Sequence, residues 1–262
     1  MALIRVTDYP PLVFLVSFLA LWFATWLGGL VSSWRPLKEE VRSDYSGILG
    51  GTMGLLALII GFTFSMSISR YDQRKNFEAE EANAIGTEYL RADFLPQAEA
   101  AQTRELLQSY LDQRILTYTT RDRGELDRIG AATAKLQSDL WSAVRAPAAA
   151  QPTALTGLVA SGMNDVLNSQ GYTQAAWLNR IPRAAWFLMI SIALGCNALI
   201  GYGVRSATRE RGLRLVLPLF LAVSFMLIAD IDSPRGGVIR LSPVNLQSLA
   251  ASLAAPSPGQ GR

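Results

Sequence analysis

Four long runs without a charged residue constrain the fold of this 262-residue chain more than any other feature. Half of the residues are apolar and only 17% are charged, against about 25% in an ordinary soluble domain. A helix crosses the hydrocarbon core of a bilayer with roughly 20 apolar residues. The sequence therefore predicts an all-α membrane protein with four transmembrane helices, at residues 9–34, 45–69, 184–204 and 213–230.

The first and last spans each depart from an ordinary transmembrane helix. The first follows a single basic residue, Arg5, and no convincing cleavage site comes after it, so we interpret it as a retained anchor and not as a signal peptide. The last is uncharged only over residues 215–229. It reaches spanning length if the Arg214 side chain extends toward the membrane surface and Asp230 faces water or protein.

The second span leads into charged sequence without a helix-breaking residue. No proline occurs between Pro36 and Pro96, so one helix can leave the membrane at Ser69 and continue into water. Apolar residues then recur at helical spacing. Residues 70–183 are predicted to form a large helical soluble domain inserted between spans two and three, with helices at about 70–94, 98–119, 124–145 and 153–179, and the linker 146–152 between the last two. Residues 231–253 are expected to be a membrane-proximal C-terminal segment, and 254–262 a disordered tail.

Residue types that most enzyme sites require are missing from the sequence. It contains no histidine, and its single cysteine, Cys196, lies in an apolar run. The commonest general base and metal ligand is therefore absent, and one cysteine cannot form an internal disulfide or a thiolate metal cage. No nucleotide-binding or serine-nucleophile motif occurs, and a net charge of +3 without a dense basic tract does not favour nucleic acid. We predict a protein that is not an enzyme and that has no metal, no cofactor and no nucleic-acid partner.

The second span carries the residues that we consider functional. Leu58 and Phe62 are four residues apart, so they share one face of the helix. In a symmetric ring of subunits they would form an apolar constriction, which can gate by dewetting. Ser65 and Ser69 continue this face with small polar side chains, as in a widening aqueous path. Ordinary helix packing is the alternative interpretation, and it also applies to the glycines of this span.

Charged residues follow the span on the water side. Arg70 stands at the exit, and Glu81 and Glu88 are seven residues apart, so they nearly superpose along the helix. Together with Glu78 they could form rings of carboxylates that concentrate cations in a vestibule. The alternative is a solvated helix face with salt bridges, such as one between Arg74 and Glu78.

A second group of charges follows the fourth span, where Asp230, Asp232 and Arg235 lie in the sequence ADIDSPRGG. Charges at a membrane boundary need partners or water. We predict that the aspartates pair with Arg70 or Arg235 and that Pro234 and the two following glycines form a turn. This cluster is interpreted as a structural cap of the bundle or as an ion site.

Three stretches carry a resemblance to a known family. The segment GFTFSMSISRYDQ, residues 61–73, resembles the pore-lining helix of the bestrophins in its Gly-Phe pair and its Ser-Arg exit. More closely, residues 64–74, 80–96 and 228–243 are similar to a bacterial family called bestrophin-like domain, and this likeness covers nearly the whole chain.

The resemblance implies a pentameric ion channel whose neck is lined by the second span. Carried over by spacing, the neck positions are Gly54, Leu58 and Phe62, of which only Phe62 keeps an aromatic ring. Tyr71 and Asp72 stand where the family has tryptophans, and no acidic calcium clasp is found, so calcium activation is not expected. The implied partners are membrane lipid, small inorganic ions and further copies of the chain.

The resemblance also implies a multi-pass protein of the bacterial inner membrane, and we expect its helical domain in the cytoplasm, although basic residues near the membrane ends are nearly balanced between the two sides. The alternative function is a non-conducting scaffold or sensor whose helical domain binds a partner. The two differ in whether Leu58 and Phe62 face a shared axis or a neighbouring helix of their own subunit.

Overall fold

The computed structural model of this chain describes residues 6–203 and 212–255. This part of the chain is helical and contains no β-strand, as the sequence predicts. Its α-helices are α1 (Pro10–Trp34), α2 (Arg42–Arg91), α3 (Gln97–Thr119), α4 (Arg123–Ala150), α5 (Ala154–Leu178), α6 (Arg183–Gly203), α7 (Leu213–Asp232) and α8 (Val244–Ala254).

Four helical stretches are long and apolar enough to cross a membrane, which agrees with the number of predicted spans. They lie within Pro10–Trp34, Glu39–Phe94, Ala154–Gly203 and Arg214–Asp232. The last residue of the predicted third span, Val204, lies outside the described residues.

The chain divides into two compact units. The first takes residues up to Tyr71 and from Arg180 to Arg240, and the second takes residues from Asp72 to Asn179 and from Leu241 onward. Helix α2 is 50 residues long and runs from the first unit into the second, because no proline or other breaker interrupts it.

In the first unit, α1, α6 and α7 pack together around an apolar core. Fully or almost fully buried side chains come from each of the three helices, and they include Leu21, Met189 and Phe225. The burial of one face of each helix leaves its opposite face free for lipid or for another subunit.

Helices α1 and α6 approach closely because each carries a glycine at the contact. A Cβ atom on Gly28 would collide with the carbonyl of Ala198, and one on Gly201 would collide with the carbonyl of Thr25. Small residues are what lets two membrane helices bring their backbones together. Beside this contact the Thr25 hydroxyl lies 3.3 Å from the Asn197 side-chain oxygen.

We expect Gly201→Ala to destabilise the first unit by about 1–3 kcal/mol, because the new methyl group has to push two backbones apart. Thermal unfolding of the purified protein in detergent measures this. Gly195→Ala is the matched control: it lies on the same helix, and a Cβ atom there meets nothing within 4 Å. Equal melting temperatures for the two variants would contradict the close-contact interpretation.

In the second unit, α3, α4, α5 and α8 pack with the last turns of α2 around a core of fully buried apolar residues. Leu246 of α8 belongs to this core, and Leu249 of the same helix packs against the core. The segment predicted at 231–253 as membrane-proximal is therefore split between the units, because its second half is an apolar helix that joins this core. The core residues include Ile85, Leu107, Tyr110, Leu140, Met163 and Leu246.

Helix α4 continues through most of the predicted linker, 146–152, and ends at Ala150. Pro147 lies inside its last turn. A proline lacks the N–H that would bond to the carbonyl four residues before it, which disfavours continuation of the helix, and α4 ends three residues later. The predicted tail, 254–262, begins at the last residue of α8, and its residues from 256 onward lie outside the described part.

Candidate functional site

Helix α2 has one face that its own chain buries and another that it leaves open. In the first unit the buried positions are Leu56, Thr63 and Ser67, and the two hydroxyls donate to backbone carbonyls of α2 itself. In the second unit the buried positions of α2 include Arg74, Glu81 and Ile85. Successive positions in this series are four or seven residues apart, which defines one stripe of an α-helix.

The predicted constriction lies on the open face. Leu58 is 53% exposed and Phe62 is 66% exposed, although both are apolar. Gly54, Ser65 and Ser69 are exposed beside them. Among the described residues, no helix of the same chain covers this stripe, so packing within the subunit does not account for it.

The glycines in the first half of α2 differ from those at the α1–α6 contact. A Cβ atom added to any of these five would meet nothing within 4 Å in the described chain. Packing inside the subunit therefore does not require them, and what remains is a partner outside this chain, lipid or water. These residues are Gly47, Gly50, Gly51, Gly54 and Gly61.

The open face of α2 also differs from the open faces of α1 and α7. Those helices expose bulky apolar side chains, as surfaces facing lipid do. On α1 these are Leu15, Leu19, Trp22, Phe23 and Trp26, and on α7 they are Leu215, Val216, Leu219, Phe220 and Val223. Helix α2 also exposes bulky apolar side chains, among them Leu55, Leu58, Phe62 and Met66, but glycines and serine hydroxyls lie between them, and these would gain little from contact with lipid.

The predicted ring of carboxylates at Glu78 and Glu81 is wrong, because both side chains are buried and hydrogen bonded inside the second unit. Glu78 accepts hydrogen bonds from the backbone N–H of Leu246 at 2.9 Å and from the Asn245 amide at 2.6 Å. It thereby caps the N-terminus of α8, where a negative charge is favourable.

Glu81 takes part in a buried ion pair. Its carboxylate pairs with Arg114 of α3 and accepts hydrogen bonds from the Tyr118 hydroxyl at 3.4 Å and the Thr173 hydroxyl at 3.2 Å. Burial, together with the nearby Glu81 carboxylate, raises the pKa of the Tyr118 hydroxyl above its ordinary value. The phenol therefore stays protonated and remains a donor to the carboxylate.

Glu88 is also fully buried and does not face a vestibule. It lies where α2 meets α5, and its nearest cation is Arg91, whose Nη1 atom is 4.0 Å from Oε2. The spacing of the three glutamates indicates only that they lie on the same side of the helix. The structure shows that this side is the buried one.

The residues that actually continue the open face are different. Positions 18 residues apart on an α-helix are separated by five full turns and share one direction. Counting 18 residues from the constriction stripe gives exposed polar residues in each case: from Gly54, Leu58, Phe62 and Ser65 it gives Asp72, Asn76, Glu80 and Asn83. These residues can be identified in the sequence by counting 18 residues onward from each position of the constriction stripe, without reference to charge.

The charges at the end of the fourth span form a compact network in the first unit. Asp232 is 1% exposed and accepts hydrogen bonds from Arg180 Nε at 3.3 Å and from the backbone N–H of Ile181 at 3.1 Å. Arg70 Nη1 lies 3.9 Å from the same carboxylate, in the pairing that the sequence predicts. Arg180 also binds Asp8 at 2.6 Å. The roles of Asp8 and Arg180 in this network were not predicted from the sequence, because both residues are far in sequence from Asp232.

Asp230 has a different partner from the predicted one. Its carboxylate accepts the backbone N–H groups of Val238 at 2.8 Å and Ile239 at 3.0 Å. These bonds hold the turn after α7, in which Gly237 has a φ of 79° and lies against that carboxylate. Arg235 is half-buried in the same turn. Bound by backbone donors in this way, Asp230 acts as a structural anchor of the turn.

We expect Asp232→Asn to destabilise the first unit by about 3 kcal/mol, because Arg70 loses its buried counter-charge and Arg180 keeps only the more exposed Asp8. Chemical unfolding of the purified protein in detergent measures the change. Asp44→Asn serves as the control, since Asp44 is exposed in the same unit. A loss no larger than that of the control would show that this network is not a clamp.

No group of three or more histidine, cysteine or acidic residues that could hold a metal ion is found among residues 6–203 and 212–255. The open face of α2 offers bulky apolar side chains, glycines, hydroxyls and a few exposed carboxylates, arranged along one helix.

Comparison with known proteins gives a family and a fold. The family model described as Bestrophin-like domain matches residues 15–246. The crystal structure of a bacterial bestrophin homologue from Klebsiella pneumoniae, solved by Zn-SAD phasing, is 15% identical, with a TM-score of 0.63, over 92% of this chain and 96% of that one. A crystal structure of a point mutant of the Klebsiella pneumoniae homologue is 14% identical, with a TM-score of 0.64, over 92% and 97% of the two chains.

At this level of identity, the likeness to the solved structures concerns the fold alone. Among curated proteins, none matches this chain.

Proposed function

Because the chain belongs to the bestrophin-like domain family, we propose that it is a subunit of an oligomeric ion channel whose path is lined by the open face of α2. The observation that carries this proposal is the exposure of Leu58 and Phe62 beside glycines and serines on a face that no described helix of the same chain covers.

One helix face cannot enclose a path, so the proposal requires several copies around an axis. A closed ring of identical subunits brings the same residue from every copy to the same height. The resemblance to bestrophins gives five as the expected number. Membrane lipid then contacts the bulky faces of α1 and α7, and α2 takes the position at the axis.

Within such a ring, Leu58 and Phe62 form the narrow apolar part of the path. Two successive rings of large side chains can exclude water and close the path by dewetting. Gly54 leaves a wider level on one side, and Ser65 and Ser69 supply hydroxyls on the other. The path therefore opens in both directions from the two rings.

Beyond Ser69, Asp72 and Glu80 supply exposed carboxylates on the continuation of the open face. Repeated around an axis, they form two negative rings with Asn76 between them. Rings of one sign concentrate ions of the opposite sign. We propose cations as the conducted ions, in a multi-pass protein of the bacterial inner membrane with the second unit in the cytoplasm.

The central test is ion flux through liposomes that contain the purified oligomer. We expect Phe62→Ala to increase flux severalfold, because it removes the larger of the two apolar rings. Phe220→Ala is the matched control: Phe220 of α7 is 65% exposed, close to the 66% of Phe62, and should contact lipid, so its removal leaves flux unchanged.

Absence of flux from wild type and Phe62→Ala, at several pH values and with or without calcium, would overturn the channel proposal. It would favour the scaffold or sensor as the function of this family member. Equal effects of the two phenylalanine variants would show that Phe62 has no special place in the path.

The carboxylate rings are tested separately by the reversal potential in a salt gradient. We expect Glu80→Gln to shift it toward lower cation selectivity, because the ring loses one negative charge per subunit. Glu105→Gln removes an exposed carboxylate from α3 and should leave the reversal potential unchanged. The shift should shrink at high salt, where exposed charges are screened.

A further inference from the structure

Glu88 stands apart from the other buried acids of α2, because its carboxylate has no hydrogen-bond donor. The side chain is 0% exposed, and neither Oε1 nor Oε2 has a hydrogen-bond partner among the described residues. Glu78 and Glu81 are buried to a similar degree, and both accept several hydrogen bonds. A buried carboxylate without donors is strongly disfavoured in its charged form.

Helix α5 closes directly over this carboxylate. A Cβ atom on Gly162 would collide with Glu88 Oε2 and with the guanidinium group of Arg91, so with the two side chains in these positions α5 fits against α2 because residue 162 is a glycine. The contact therefore leaves no room for water between the acid and α5. It also makes the fit of α5 on α2 sensitive to any movement of the Glu88 side chain.

Two charged groups face Glu88. Arg91, on α2 itself, has Nη1 at 4.0 Å from Oε2, which is too far for a hydrogen bond but favours the charged carboxylate. Asp165, exposed on α5, carries a like charge and therefore disfavours the charged form of Glu88. Burial is the largest influence and raises the pKa of Glu88 to about 8, with Arg91 acting against this rise and Asp165 adding to it. At neutral pH the acid is therefore mostly protonated and uncharged.

We propose that Glu88 is a proton-operated switch that controls the contact between α2 and α5. With the proton bound, the neutral acid lets α5 close at Gly162. When the proton leaves, the charged carboxylate must reach water or move toward Arg91, and the contact opens. Because α2 is the helix that carries the open face, this switch couples pH to the helix that the proposed channel depends on.

The direction of the pH effect follows from the pKa. The pKa of Glu88 in the closed contact, about 8, is higher than the ordinary value of 4.5 for a glutamate in water. Between these two values the closed form holds a proton that the open form releases. The contact is therefore most stable below about pH 4.5, loses stability as the pH rises, and reaches its weakest state above about pH 8.

Hydrogen exchange of the α5 segment around Gly162, in the purified full chain and corrected for intrinsic rates, measures this opening. We expect the opening constant of the wild type to rise about tenfold per pH unit between about pH 6 and pH 8 and to level off above. Glu88→Gln keeps the shape of the neutral acid without a titrating proton, so its opening constant should stay low and flat. Glu105→Gln should behave as wild type does.

Two further variants move the midpoint in opposite directions. Arg91→Gln removes the favourable cation and should raise the pH of levelling off, and Asp165→Asn should lower it. Infrared spectroscopy at neutral pH should show a protonated carboxylic acid band that Glu88→Gln lacks. The same pH profile in wild type and Glu88→Gln, or no such band in the wild type, would overturn the proposal.

Neither measurement depends on ion flux. The switch proposal can therefore be overturned while the channel proposal is upheld, and the channel proposal can be overturned while the switch proposal is upheld. The link to conduction rests on the proposed function. If both hold, flux changes with pH at the same midpoint as the exchange, and Glu88→Gln abolishes this dependence. A pH-independent flux together with a pH-dependent exchange would overturn the link to conduction and confine the switch to the second unit.

Discussion

The structure depends on one helix that its own chain covers on a single side. Helix α2 has 50 residues, and the described chain packs against one stripe of it in each unit. The packing of the chain therefore fixes which residues are left for anything outside it. Within the membrane-spanning part these include Leu58 and Phe62, with glycines, serines and the apolar side chains of Leu55 and Met66 beside them. The residues of α2 that the core buries determine which residues of α2 remain exposed. A change in the core therefore also changes the candidate site.

The buried stripe of α2 is unusual because much of it is charged. Arg74 donates to the carbonyls of Ala176 and Asn179 at the end of α5, where a cation is favourable. Glu78 caps the start of α8, and Glu81 pairs with a buried arginine of α3. Each of these charges compensates a helix end or an opposite charge, so burial is offset by specific bonds. Glu88 lacks such bonds, so nothing offsets the cost of burying its charge, and its protonation state affects how α2 packs.

The number of candidate membrane helices and the continuity of α2 agree with the sequence prediction, because both follow from local properties: the absence of charge and the absence of proline. The sequence predicted the buried face poorly. Hydropathy normally marks the inward side of a helix, but on α2 the buried positions include Arg74 and Glu81, and the exposed ones include Leu58 and Phe62. The partners that reverse the pattern, such as Arg114 and the start of α8, are distant in sequence. Helix α8 itself was missed because eleven mostly apolar residues carry no charged face to define a period.

This inversion of polarity separates two kinds of surface in the membrane. An exposed leucine or phenylalanine alone is equally suited to lipid and to an apolar constriction, so exposure does not distinguish them. The neighbours distinguish them. On α1 and α7 the exposed apolar side chains have other bulky side chains around them, whereas on α2 glycines and hydroxyls lie among Leu55, Leu58, Phe62 and Met66. Glycines weaken an isolated helix by about 1 kcal/mol each, and in the described chain those in the first half of α2 gain no packing that offsets this cost. They are accounted for only if something outside the subunit needs the space that they leave.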